Sequence, residues 1–137
     1  MILNRLRTPF GWLAASIVGV LACAMTGGAQ KRGRDPLWTV PANATLRTNP
    51  LANRPDAAAG GRKLFDQRCA TCHGDDARGT EKGPDLTATE VQAQSDGALF
   101  WKITQGNTRG GMPTFSFLPE VQRWQLVLHL RAVRRDQ

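Results

Sequence analysis

Residues 68–79 read RCATCHGDDARG, and Cys69, Cys72 and His73 fall within five consecutive positions. Two thiols three apart with an imidazole directly behind them restrict the surrounding chain, because each use of such a turn needs a different frame. A thioredoxin-like dithiol needs a strand before it and a βαβ unit around it. A closed zinc site needs two further Cys or His ligands. A covalent haem anchor uses all three residues: the thiols add across two vinyl groups of one porphyrin, and the next residue offers its imidazole to the iron.

The N-terminal region narrows the choice. Residues 1–29 hold Arg5, Arg7, no acid, an apolar run over residues 10–25 and then small residues. This is the shape of an export signal, and the run is slightly short for a helix that crosses a hydrocarbon core. Val20, Leu21, Ala22 and Cys23 resemble the lipobox of bacterial lipoproteins. Cleavage before Cys23 would leave a lipid anchor in a membrane, whereas cleavage after Ala24 or Ala29 would leave a soluble protein. Either route puts the working domain outside the cytoplasm, with a periplasmic location expected, and leaves Cys69 and Cys72 as the working thiols. Residues 30–56 contain Pro36, Pro41, Pro50 and Pro55, half of the eight prolines, and no sustained apolar period. That composition predicts a Pro-rich tether, followed by a domain over residues 57–137.

Helical signals dominate the domain, and no apolar/polar alternation runs long enough for a strand, so an all-α fold is expected. Asp56 is placed to cap a helix over residues 57–68, with Leu64 and Phe65 on its buried face. Thr87 with Glu90 three later reads as a capping box. Ser95 caps a third helix carrying Leu99, Phe100, Trp101 and Ile103, which Gly106 stops. The last helix begins at Pro119 with Glu120 at its positive end and closes among Arg131, Arg134 and Arg135. It carries Val121, Trp124 and Leu128 on one face, with Leu126 and Leu130 beside it. About 80 residues bury little surface alone, so something is expected to supplement the core.

These features decide among the uses of the thiol turn. The dithiol lacks its βαβ frame, and the chain has two histidines, His73 and His129, and no third cysteine in the domain for a zinc site. One covalently bound haem c fits, with His73 on the iron. Met112 is the domain's one methionine, set in GNTRGGMPTF, where glycines let the loop turn and Pro113 stiffens it; it is the expected second axial ligand. His129, between Leu128 and Leu130 in mid-helix, is the rival and reads as a packed histidine.

Taken together, these residues resemble the class I c-type cytochromes, in a single-haem bacterial form, over residues 57–133. In that family a glycine and an aromatic precede the first haem cysteine by eight and four positions, as Gly61 and Phe65 precede Cys69. Glycine inside a helix costs ~1 kcal/mol relative to alanine, and close contact with the last helix supplies a reason for Gly60 and Gly61. KGPDL matches the family's Gly-Pro before a leucine, at Gly83, Pro84 and Leu86. The resemblance implies that the Pro84 carbonyl accepts a hydrogen bond from the second nitrogen of His73, orienting the ring and raising its basicity. For Trp101, in LFWKI, it leaves two uses open: lining the haem with a bond to a propionate, or core packing alone. Gly111, Met112 and Pro113 match the methionine loop, and RWQLVLHLRAV the final helix, with His129 where an aromatic, often Tyr, is usual.

The implied function is electron transfer rather than catalysis. Iron held by His73 and Met112 has no open position, and thioether ligation in an apolar pocket favours Fe(II). Transfer would pass through the haem edge to redox partners such as a quinol-oxidising complex, a dehydrogenase or a terminal oxidase. The rival is a peroxidase-like or gas-binding protein with Met112 off the iron, for which no distal base is offered at helical or loop spacing. A third use is a sensor or scaffold whose haem mainly completes the fold. The formal charge of +7 includes Arg5 and Arg7 of the leader, and the rest is scattered without a nucleic-acid motif, so no nucleic-acid partner is expected.

Overall fold

The computed structural model describes residues 38–135. The expected export signal over residues 1–29, with Cys23, and the first part of the expected tether lie outside the described residues. Within them all regular elements are helical: α1 (Ala42–Thr45), α2 (Ala58–Arg68), α3 (Ala70–His73), α4 (Thr89–Gln92), α5 (Asp96–Gln105) and α6 (Glu120–Arg135). Single 3-10 turns occur at Pro55–Ala57 and Thr108–Gly110, and one isolated bridge pairs Asn107 with Met112. No helix among the described residues is long and apolar enough to cross a membrane. The all-α expectation therefore holds.

The α5 helix starts where its chemistry directs, with the Ser95 hydroxyl accepting from Ala98 N at 3.2 Å, and ends at Gly106 with φ +65°. Two other expected caps do not form. Asp56 instead pairs with Arg54, at 3.1 Å to Nη2, which holds its carboxyl below the usual range, and α2 begins after a 3-10 turn with Ala57 at the cap. The Thr87 hydroxyl donates to Asp85 Oδ1 at 2.6 Å, and Ala88 precedes α4 without a side-chain cap. In both cases a partner two residues away competes with the helix terminus and wins.

The core gathers on α6. Trp124, Leu126 and Val127 are 2%, 1% and 0% exposed, and Phe65 of α2 is 1% exposed. Full burial of side chains of this size contributes about 1.5–3 kcal/mol each. The α2 and α5 helices both pack on α6, so burial runs through successive residues from Leu126 to Leu130 rather than along a narrow stripe. Val121, expected on the buried face, lies in the first turn of α6 and is exposed. A stacked Phe100–Trp124 pair, centroids 4.0 Å apart, joins α5 to α6. On α2, a Cβ added at Gly61 would overlap the Gln125 carbonyl oxygen, so the close approach expected from the sequence is present.

The described part of the expected tether is a correction. Residues 42–54 lie along α5 and α6 as a strap. Ala44 is buried, and Gly97 of α5 sits so close to it that a Cβ there would meet the Arg47 carbonyl at 2.7 Å. Ser95 Oγ donates to Thr45 O at 2.8 Å, Arg47 pairs with Glu120 at 2.6 Å, and its guanidinium lies over the Phe100 ring at 4.5 Å. Asn49 is the firmest hold. It is buried, donates to Trp124 O at 3.2 Å and accepts from Leu51 N at 2.9 Å. The strap binds through backbone and polar groups, which leave no apolar period to read. Asn49→Ala should leave the Leu51 amide without its acceptor, remove the tie to Trp124 O and cost about 1–3 kcal/mol, measurable as a lower midpoint in urea.

Candidate functional site

The thiol turn continues α2 almost without a break. Cys69 N donates to Phe65 O at 2.8 Å, and Cys72 N and His73 N both donate to Cys69 O at 3.0 Å. One helical turn therefore carries both thiols and ends at His73. Both cysteines are free, and burial pushes the Cys69 thiol up to about 11, with Cys72 adding to the shift. A thiol held protonated at neutral pH is a poor attacking group, which weighs against a dithiol redox pair. Among the described residues no group of three or more His, Cys, Asp or Glu side chains could hold a bare metal ion, so the zinc use also lacks its ligands.

The loop after α3 folds back over the imidazole. His73 Nδ1 lies 2.9 Å from the Pro84 carbonyl oxygen. A carbonyl can only accept, so Nδ1 carries the proton and the Nε2 lone pair of the neutral ring is free to bind a metal. Gly79 N donates to His73 O at 2.7 Å, Thr80 N to Gly83 O at 2.9 Å, and the Thr80 hydroxyl to Cys72 O at 2.6 Å. Gly83 has no room for a side chain: a Cβ would stand 2.7 Å from Cys72 O and 3.1 Å from His73 Cε1. The Thr87 side-chain and backbone bonds keep the Asp85 carboxyl below its usual range, which holds the exit of the loop as an anion-capped turn. The Thr80 bond had no reading in the sequence, and Gly83 was read there only through its Gly-Pro motif; Gly79, Thr80 and Gly83 within five consecutive positions, six to ten beyond a ligand-type histidine, are a usable signal of a tight loop.

Met112 comes from a second loop. Asn107 N donates to Met112 O at 2.8 Å, Met112 N donates to Asn107 O at 2.9 Å, and Asn107 Oδ1 accepts from Gly110 N at 2.9 Å. Gly111, at φ +87°, makes the reversal between them. Phe115 N bonds Ile103 O at 3.2 Å and the Thr114 hydroxyl bonds Thr104 O at 2.7 Å, fastening the loop to α5. Met112, Cys69 and Leu86 are each half-buried against the same apolar core. His73 is thus hydrogen-bonded to Pro84 and Cys72 to Thr80 of the same loop, while Met112 packs on the apolar core that Cys69 and Leu86 also touch. Trp101 is half-buried on α5 and borders a cleft with Arg47, Thr104, Glu120 and Arg123, the side that the strap covers. His129 is buried, its ring 5.0 Å from Phe65, as a packed histidine between α2 and α6.

Two thiols one turn apart, an imidazole with its distal nitrogen available and a thioether in an apolar setting make a donor set that suits a covalently held porphyrin iron. Residues 56–130 match the family model described as cytochrome c oxidase, cbb3-type, subunit III. The chain is a class I c-type cytochrome.

The cytochrome is 27% identical over 110 residues to cytochrome c550 of Pseudomonas aeruginosa, covering 77% of this chain and 76% of the relative. It is 54% identical over 64 residues to the cbb3-type cytochrome c oxidase subunit CcoP of Rubrivivax gelatinosus, covering 46% of this chain and 21% of that subunit. Its fold is similar to that of cytochrome CL from Methylophaga aminisulfidivorans, with a TM-score of 0.53 and 26% identity over 61% of this chain and 59% of that one. The cytochrome therefore spans about a fifth of the oxidase subunit and 59% of cytochrome CL. It is a haem-containing electron carrier with covalently attached haem c.

Proposed function

We propose that this cytochrome is exported and carries single electrons between exported or membrane-bound redox partners, with thioether links at Cys69 and Cys72 and with His73 and Met112 as the axial ligands of one haem. Bound haem c supplies a one-electron Fe(III)/Fe(II) couple. The observation that supports the ligation is the 2.9 Å contact between His73 Nδ1 and Pro84 O, which puts the proton on Nδ1 and leaves the Nε2 lone pair for a metal. Pro84 orients the imidazole and raises its basicity, while the Asn107–Met112 bridge fixes the backbone from which the thioether projects. Phe65, Leu86 and Met112 belong to one apolar core, which keeps water from the site and favours the reduced state.

Likeness to an oxidase subunit supports a terminal oxidase or its electron donor as the partner class, beside quinol-oxidising complexes and dehydrogenases. The leader supports export, with Cys23 either lipidated or removed; the mass of the mature N-terminus distinguishes the two. The ligation is tested by a visible spectrum. The reduced native protein should be low-spin and should not take up carbon monoxide. Ready uptake would overturn His/Met ligation and favour a gas-binding or peroxidase-like protein. Met112→Ala should open the sixth position, so that carbon monoxide binds, and should lower the midpoint potential, because the thioether favours Fe(II).

A further inference from the structure

Pro84 can hold the His73 ring only as firmly as its own loop is held. On the near side the loop is bonded to the turn it serves: Gly79 N to His73 O, and the Thr80 hydroxyl to Cys72 O. Those bonds would let loop and turn shift together, as one piece. On the far side, the amide of Leu86, two residues beyond Pro84, donates to Ala77 O at 2.8 Å within the loop itself, so the tie that leaves the loop is the Leu86 carbonyl, which accepts from Gln92 Nε2 at 2.7 Å.

Gln92 ends α4 and is 5% exposed. The same Nε2 donates its other proton to Leu130 O of α6 at 3.0 Å, so one carboxamide ties the Pro84 loop to the last helix. Arg131 then locks the carboxamide. Its Nη1 donates to Gln92 O at 2.8 Å and to Gln92 Oε1 at 3.3 Å, its Nε pairs with Asp96 Oδ1 at 2.8 Å, and its Nη2 bonds the Gln94 carbonyl. The amide orientation is set by its partners, since two carbonyls require the NH2 group and a guanidinium requires the oxygen. With both donors and the acceptor engaged, a buried amide resists displacement, because any move leaves a polar group unsatisfied.

We infer that Gln92, locked by Arg131, is a positioning residue for His73: it pins the Leu86 end of the Pro84 loop to α6, and so sets how strongly Pro84 accepts from His73 and, through the ring's basicity, the potential of the iron. The inference rests on His73 being an iron ligand. A stronger bond to Nδ1–H makes the imidazole a better donor and favours Fe(III), so loosening the pin raises the potential.

Gln92→Met keeps side-chain length and volume and removes the donated bonds to Leu86 and Leu130. In the full-length haem-loaded protein, its midpoint potential should rise, and the His73 Nδ1–H should exchange with solvent on the order of tenfold faster, the effect of weakening one buried hydrogen bond. Asn49→Ala, which loosens the strap at a residue that bonds neither Gln92 nor the Pro84 loop, should lower the melting temperature without moving either readout. Arg131→Lys keeps a cation beside Asp96 but loses the hold on Gln92, and should shift both readouts the same way by less. It carries the test if Gln92→Met does not load haem. A lowered melting temperature with unchanged potential and unchanged Nδ1–H exchange would show Gln92 to be structural only and would overturn the inference. If His73 is not a ligand, its ring protons in the wild-type protein will lack haem-induced shifts, a failure visible before any variant is made.

Discussion

Replacing Cys69 and Cys72 together with serine is expected to abolish covalent haem and, with it, most of the folded population. Each cysteine supplies one thioether and serine supplies none, so the denatured variant should show no haem adduct by mass spectrometry. The larger effect is on the fold. Cys69, Leu86 and Met112, one from the thiol turn and one from each site loop, are only half-buried against the core. A domain of this size buries a modest fraction of its surface, and its total stability is on the order of 5–15 kcal/mol, so losing a large apolar group that binds the folded state alone removes a major share. Far-ultraviolet circular dichroism should show a large loss of helix, and thermal scans should lose their cooperative transition. A helical double variant that melts cooperatively near the wild-type temperature would mean that the polypeptide core is sufficient by itself.

What could be read from the sequence divides by the kind of interaction. Residues with few alternative uses were legible: Ser95 before an apolar helix, Gly61 where two helices touch, Pro84 after a Gly-Pro signal, and His129 as a packed ring all appear where expected. The strap was not, because Asn49, Arg47 and backbone carbonyls do the holding and a proline-rich segment without apolar period reads as unbound chain. The caps at Asp56 and Thr87 failed because local partners, Arg54 and Asp85, are as close in sequence as the helix ends they were expected to serve. Gln92 had no signal at all. A lone glutamine becomes informative only when folding brings Leu86 and Leu130, separated by 44 positions in the chain numbering, to the same carboxamide.

Gly60 and Gly61 allow a sharper test, because intrinsic propensity treats them alike and packing does not. Alanine at either position in the interior of α2 should gain up to ~1 kcal/mol of helix propensity. At Gly60 a Cβ would meet the tip of the Gln125 side chain, with Nε2 at 2.8 Å, and that amide can swing away. Gly60→Ala should therefore leave stability within about 1 kcal/mol of wild type. At Gly61 the Cβ would overlap the Gln125 carbonyl oxygen, stand 2.5 Å from the carbonyl carbon and lie 3.1 Å from His129 Cβ, all parts of α6 that can yield only by moving the helix. The two helices must then separate, pulling Phe65 from His129 at their present 5.0 Å and dragging Cys69, whose amide hangs on Phe65 O. Gly61→Ala should cost about 3 kcal/mol or more, a fall in melting temperature of roughly 12 °C or greater. Equal melting temperatures for the two variants would mean that the α2–α6 crossing is looser than these contacts require.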